Sequence, residues 1–136
     1  MDNIKCTSDL CFGGALAIFN SNGIIEASYF TNNLCFSHGG SIGIVNLSGN
    51  ITITLTHITH STSLKGNGGG LAFISNVNNY MITTSDSIIE NNSAIFGGGI
   101  YLDFQLNPII FPYLALIFST SIQHNKATTL GGGIFY

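Results

Sequence analysis

Gly97-Gly98-Gly99-Ile100-Tyr101-Leu102 decides the fold, because its glycine-aliphatic core occurs five times along the chain. The other copies are Gly13-Gly14-Ala15-Leu16, Gly39-Gly40-Ser41-Ile42, Gly68-Gly69-Gly70-Leu71 and Gly131-Gly132-Gly133-Ile134. Counted between the aliphatic residues, the copies lie 26, 29, 29 and 34 residues apart. A period that varies suits a solenoid whose turns accept insertions, and excludes a coiled coil with its strict register. The strings are not phosphate loops: they lack the Gly-Lys-Ser/Thr ending and precede strand patterns, not helices.

Downstream of the glycines the period is two. Leu16 and Ile18 alternate with Ala17 and Phe19, and the same phase gives Ile42/Ile44, Leu71/Phe73, Ile100/Leu102 and Ile134/Tyr136. Such alternation reads as a half-buried strand. Upstream, apolar anchors sit at Ile4, Phe30, Ile58, Ile89 and Ile122. A hydroxyl precedes the last four by two residues (Ser28, Thr56, Ser87, Thr120). Three residues after each anchor comes a small polar residue: Thr7, Asn33, Ser61, Asn92 and Asn125. Two further on stand Asp9, Cys35, Ser63, Ala94 and Ala127. A second strand is expected to end at the anchor, as over 24–30, 51–58, 81–89 and 114–122, which makes two or three strands per copy.

One copy cannot bury its own apolar side. Stacking equivalent strands ~4.8 Å apart lets each backbone pair with the copies above and below. The expected fold is therefore all-β: a right-handed parallel β-helix of about four coils, the hand following from the usual chirality of parallel connections. Residues 1–136 read as one repeat domain, a piece of a longer solenoid with neighbouring coils on either side. The paired glycines belong at corners, where φ > 0 or close stacking excludes a Cβ. On that reading, valine at Gly40 or at Gly132 costs at least ~1 kcal/mol. The Asn column is expected to stack as an amide ladder. Open parallel edges at both ends would make the isolated segment prone to aggregation. Between Ile100 and Ile134 the excess length falls in Gln105–Tyr113, where Pro108 and Pro112 interrupt the pattern; this reads as a loop bulging from a corner.

Composition narrows the function. Charged residues are only 7% of the chain, hydrophobic residues 45%, and the net charge is -3 with no Arg. The three lysines, Lys5, Lys65 and Lys126, are scattered, so no basic footprint for nucleic acid exists. No stretch reaches the ~18 apolar residues of a spanning helix. The first residues lack the pattern of a signal peptide. The chain thus reads either as intracellular or as an internal piece of a longer exported protein. Three cysteines (Cys6, Cys11, Cys35) with no C-x-x-C pair argue against a zinc site or a disulfide framework, and they are expected as small buried residues.

At this point the residues resemble a known family. Phe30-x-x-Asn33 followed by Gly39-Gly40-Ser41-Ile42, with the Gly-Gly-Ala-Leu and Gly-Gly-Gly-Ile strings, is similar to the paired F-x-x-N and G-G-A-I motifs of chlamydial-type polymorphic outer-membrane protein repeats. The resemblance covers nearly the whole chain. It implies a pectate-lyase-like β-helix at the cell surface or secreted, used in adhesion to a host-cell receptor or a glycan. The motifs are structural, so they carry no catalytic residue across.

An enzyme of this fold acting on polysaccharide would need carboxylates facing one another. The six candidates, Asp2, Asp9, Glu26, Asp86, Glu90 and Asp103, fall on no common repeat column. Asp86 and Glu90 are closest in sequence, and their even offset would put them on one strand face. His57 and His60, three apart, would point to opposite faces and hold no metal. His38 precedes a glycine pair and belongs at a corner. No residue is assigned to catalysis, a cofactor or a metal. The expected function is a non-catalytic surface scaffold for adhesion or partner binding; a carbohydrate-active fragment and a plain structural spacer are the alternatives. Three sequons occur, at Asn46, Asn50 and Asn91, at a frequency chance explains in a chain this rich in Asn, Ser and Thr.

Overall fold

The structure is a computed structural model that describes residues 1–45, 49–76, 81–104 and 114–136. Among these there is no helix, and therefore none long and apolar enough to cross a membrane. The strands form four parallel ladders that make a β-solenoid of about four coils. In chain order, the first ladder stacks Lys5–Cys6, Leu34–Cys35, Thr62–Ser63, Ser93–Phe96 and Lys126–Leu130. The second stacks Leu16–Phe19, Ile42–Val45, Leu71–Ser75, Ile100–Phe104 and Ile134–Phe135. The third stacks Gly23–Glu26, Ile51–Thr54, Met81–Ser85 and Leu114–Phe118. The fourth stacks Tyr29–Thr31, His57–Thr59, Ile88–Glu90 and Ser121–Gln123.

The second ladder follows the expected register: Leu16 faces Ile42, Ile42 faces Leu71, Leu71 faces Ile100, and Ile100 faces Ile134. Its inward residues join Ile25, Phe30, Ile51, Ile53, Ile58, Ile82 and Ile89 in one continuous core. Stacking like on like lets β-branched side chains fill the coil interior from floor to floor.

The strand expected upstream of each anchor is in fact two strands. Ala27, Leu55, Asp86 and Ser119 all take positive φ, between +46° and +51°, and turn the chain between the third and fourth ladders. The hydroxyl that follows holds the bend. Ser28, Thr56, Ser87 and Thr120 each donate to the carbonyl two residues back, at 2.7–3.0 Å. A second left-handed column, Asn3, Asn32, His60, Asn91 and His124, turns the chain from the fourth ladder into the next coil.

The Asn column lies immediately after that turn, and it is a ladder. Ile4 N–H donates to Asn33 Oδ1 (3.0 Å), Asn33 N–H to Ser61 Oγ (3.3 Å), Ser61 N–H to Asn92 Oδ1 (2.8 Å) and Asn92 N–H to Asn125 Oδ1 (3.0 Å). The amide nitrogens of Asn92 and Asn125 donate to the carbonyls of Ile58 and Ile89. Asn33 and Asn92 are 1% exposed, and such burial is tolerable only because every polar atom is paired.

This ladder corrects the alignment of the first copy. Asp2 pairs with Thr31 and Lys5 with Leu34, so Ile4 stands opposite Asn33, three positions from the expected anchor column. Ile4 is exposed, and Thr7 and Asp9 lie off the ladder. The backbone bonds of the corner set the register, and they outweigh the burial of one apolar side chain.

Both glycine arguments hold, at different positions. Gly39 takes φ +72°. Gly40 lies under the next coil, where an added Cβ would sit 2.0 Å from the Gly69 carbonyl oxygen. Gly132 departs from the expectation: no coil of this chain stacks above it, and the nearest atom to an added Cβ is Asn125 O at 3.1 Å.

The cysteines differ from their expected role. Cys11 and Cys35 form a disulfide with Cα atoms 5.9 Å apart, and Cys6 is free. Cys35 stacks in register on Cys6, while Cys11 reaches it from the irregular segment before the first glycine string. The expected loop at Gln105–Tyr113 lies outside the described residues, as does Asn46.

Candidate functional site

The regular columns are consumed by stacking, so the place to look is the outer surface. Along the second ladder, residues that alternate with the core point outward in two columns. One runs Ala17, Gly43, Ala72, Tyr101, Phe135; the other runs Phe19, Val45, Ile74, Asp103. Beside them runs the column just before the glycines: Phe12, His38, Asn67, Phe96 and Leu130. Among the described residues this is where the groups with displaced titration gather.

His38, from the second coil, and Tyr101 and Asp103, from the fourth, meet across Asn67 of the third. The backbone N–H of Asn67 donates to His38 Nδ1 at 3.2 Å. Tyr101 donates to Asp103 Oδ2 at 3.4 Å and is also hydrogen-bonded to the Asn67 side chain. Burial lowers the His38 pKa below 6.5, opposed by the Asp103 charge. Burial, and then the Asp103 charge, raise the Tyr101 pKa above 10. At neutral pH the site therefore holds a neutral imidazole and an intact phenol beside the Asp103 side chain.

Rings extend the cluster along the axis. Phe19 and Phe12 meet edge-on at 6.1 Å, Phe12 and His38 lie parallel at 5.4 Å, and His38 and Tyr101 lie at 6.4 Å. Tyr101 and Phe135 follow at 5.8 Å with planes 4° apart, and Phe135 meets Phe96 at 5.1 Å. Six rings, drawn from four of the five copies and none from the third, thus form one chain of contacts.

This cluster offers hydrogen-bonding groups beside flat rings. Because Nδ1 of His38 accepts a hydrogen bond, the ring proton sits on Nε2, so the neutral ring offers a donor there and no free lone pair for a base. Asp103 shares its column with Ile74, Val45 and Phe19, so no second carboxylate stacks against it. The geometry of a paired-carboxylate hydrolase is not built here.

The other sequence candidates are dispersed. Asp86 and Glu90 do not share a strand face: Asp86 occupies a left-handed corner and Glu90 ends the next strand, where it accepts from Gln123 Nε2 at 3.0 Å. Glu26 lies on the third ladder in a column with Thr54, Ser85 and Phe118. Asp2 accepts from Asn32 Nδ2. His57 stacks against Tyr29 at 4.7 Å, while His60 is a corner residue on no strand. Among the described residues no three of His, Cys, Asp and Glu cluster to hold a metal ion. Lys65 covers the Phe36 ring at 4.6 Å. Of the sequons, Asn50 accepts from the Met81 N–H and Asn91 is an exposed corner residue.

His38 stands at a corner, as its place before the glycines implies. Its meeting with Tyr101 and Asp103 was not foreseen. The signal available was the alternation Ile100-Tyr101-Leu102-Asp103, which sends Tyr101 and Asp103 to the outer face together.

Residues 86–103 match the Chlamydia polymorphic membrane protein (Chlamydia_PMP) repeat. The matched stretch contains Ile89-x-x-Asn92, one glycine string, and both Tyr101 and Asp103. No curated protein and no solved structure matches the chain.

Proposed function

We propose that this chain is part of a surface-exposed β-helix scaffold that binds a partner through its outer faces and performs no catalysis. The observation that carries this reading is the polymorphic membrane protein repeat at 86–103, set in a solenoid whose recurring columns are accounted for by stacking bonds. A solenoid of this kind presents long flat faces at fixed spacing, which suits attachment to a host-cell receptor or glycan. The low charge and scattered lysines support neither nucleic acid nor an anionic membrane surface as the partner.

The test is adhesion. Beads coated with the chain are expected to attach to cultured epithelial cells, and beads coated with a heat-unfolded sample are not. If the folded chain does not attach, the scaffold serves as a spacer between other coils. Turnover of a polysaccharide, abolished by Asp86→Ala or Asp103→Asn, would replace the scaffold reading with a carbohydrate-active enzyme.

A further inference from the structure

The outer face of the second ladder has a composition that selects its ligand. We infer that the His38–Asn67–Tyr101–Asp103 cluster and its flanking rings form a binding site for a neutral, linear oligosaccharide laid along the solenoid axis. This rests on the binding-scaffold reading above and names the ligand class for one face of it.

Three observations carry the inference. The first is hydrogen-bonding complementarity. The cluster gathers an imidazole N–H, a phenol, an amide and a carboxylate within one patch. Sugar hydroxyls both donate and accept, and a mixed set of this kind matches them.

The second is the rings. Four phenylalanine rings flank His38 and Tyr101, Phe12 and Phe19 on one side and Phe135 and Phe96 on the other. Flat apolar surface next to fixed polar groups is the composition of a site for an amphipathic ring with polar edges. The coils repeat every ~4.8 Å, close to the length of one sugar ring, so a linear chain along the axis meets about one coil per sugar.

The third is charge. The outward columns and the column before the glycines include one carboxylate, Asp103, and no Lys or Arg. A sulfated or uronate chain would place like charge beside that carboxylate, which favours an uncharged ligand. A peptide strand is disfavoured as well. The backbone groups of the second ladder already pair coil to coil, so this face offers no free edge for strand addition.

The experiment uses the whole 136-residue chain and titration calorimetry with hexasaccharides. Cello-, malto-, laminari-, manno- and chitohexaose are the neutral probes; hexagalacturonate and a heparin hexasaccharide are the anionic ones. At least one neutral probe is expected to bind and both anionic probes to fail. Tyr101→Ala and Asp103→Asn are each expected to weaken binding tenfold or more while the melting temperature stays within a few degrees of the parent. Asp103→Asn turns one of two acceptor oxygens into a donor and also removes the charge, so it is also expected to relieve the exclusion of hexagalacturonate. Failure of all five neutral probes overturns the inference, as does tighter binding of an anionic probe. Binding that both variants leave unchanged overturns it too. Cell attachment that survives Tyr101→Ala overturns this site but leaves the scaffold reading standing; loss of attachment by the parent itself would fall on that reading instead.

Discussion

Two corners of each coil solve the same problem by opposite means. Before the second ladder the chain turns by removing side chains: a Cβ on Gly40 would lie 2.0 Å from the carbonyl oxygen of the coil above. After the fourth ladder it turns by adding one: Asn92 fills the bend, donates to Ile58 O and Asn125 Oδ1, and accepts from Ser61 N–H. The left-handed residue beside the glycine bend is itself glycine, whereas at the Asn bend it is Asn or His. The difference teaches that a tight turn in a stacked fold needs either empty space or a full set of partners. A half measure leaves a clash or a buried polar group.

Breaking the glycine corner should have the largest effect. Gly40→Val is expected to cost about 3 kcal/mol or more, since backbone must move in two coils. Gly132→Val, where an added Cβ comes no nearer than 3.1 Å to any atom beyond its two chain neighbours, should cost less than ~1 kcal/mol. Urea midpoints for the two variants check this, and equal midpoints would refute the stacking account. Next comes the Asn corner. Asn92→Leu leaves the Ser61 N–H buried and unpaired and removes the amide's bond to the Ile58 carbonyl, for a loss of about 1–3 kcal/mol. If Asn92→Leu instead melts with the parent, the ladder is incidental to stability.

Thr84 sharpens the same contrast from the other side. Its Oγ1 is buried and finds no partner among the described residues. Thr84→Val keeps the shape and removes the orphan hydroxyl, and should stabilise by about 1 kcal/mol. A third corner offers a smaller gain. Leu55 holds φ +51° while 54% exposed, a conformation Asn adopts more readily. Leu55→Asn should therefore raise stability by roughly 0.5 kcal/mol. The smallest effect expected is a pH slope. Burial depresses the His38 pKa, so as pH falls below 6.5 the unfolded chain takes up this proton before the folded one. The stability contributed by the neutral ring is present above pH 6.5 and lost as pH falls through the lowered pKa. The melting temperature of the parent should drop more between pH 7 and pH 5 than that of His38→Gln.

How much of this was legible depended on what each position demands. A column that tolerates only glycine, or only a small amide or hydroxyl, shows itself in any alignment of the copies, and from these columns the solenoid and its coil number follow. The bend at Ala27, Leu55, Asp86 and Ser119 left no such trace, because four unrelated residue types occupy it and only the next hydroxyl is constant. The first copy misled because Ile4 imitates an anchor, while backbone bonds to Thr31 and Asn33 decide its register. The disulfide was hidden because Cys11 belongs to no column. The candidate site was hidden for a related reason. His38, Asn67, Tyr101 and Asp103 come from three coils and three columns, so no repeat pattern links them, and only stacking brings them together.

The Asn ladder has one further consequence, which concerns where length is free to change. The bends that follow the third and fourth ladders are two residues long in every described copy, from Ala27-Ser28 and Asn32-Asn33 to Ser119-Thr120 and His124-Asn125. Between the second and third ladders the connection instead grows from residues 20–22, through 46–50 and 76–80, to 105–113. Each coil is thus measured at one side and unmeasured at the other. Length has changed on that side while the two-residue bends kept their count, so new surface can be tried there without altering them.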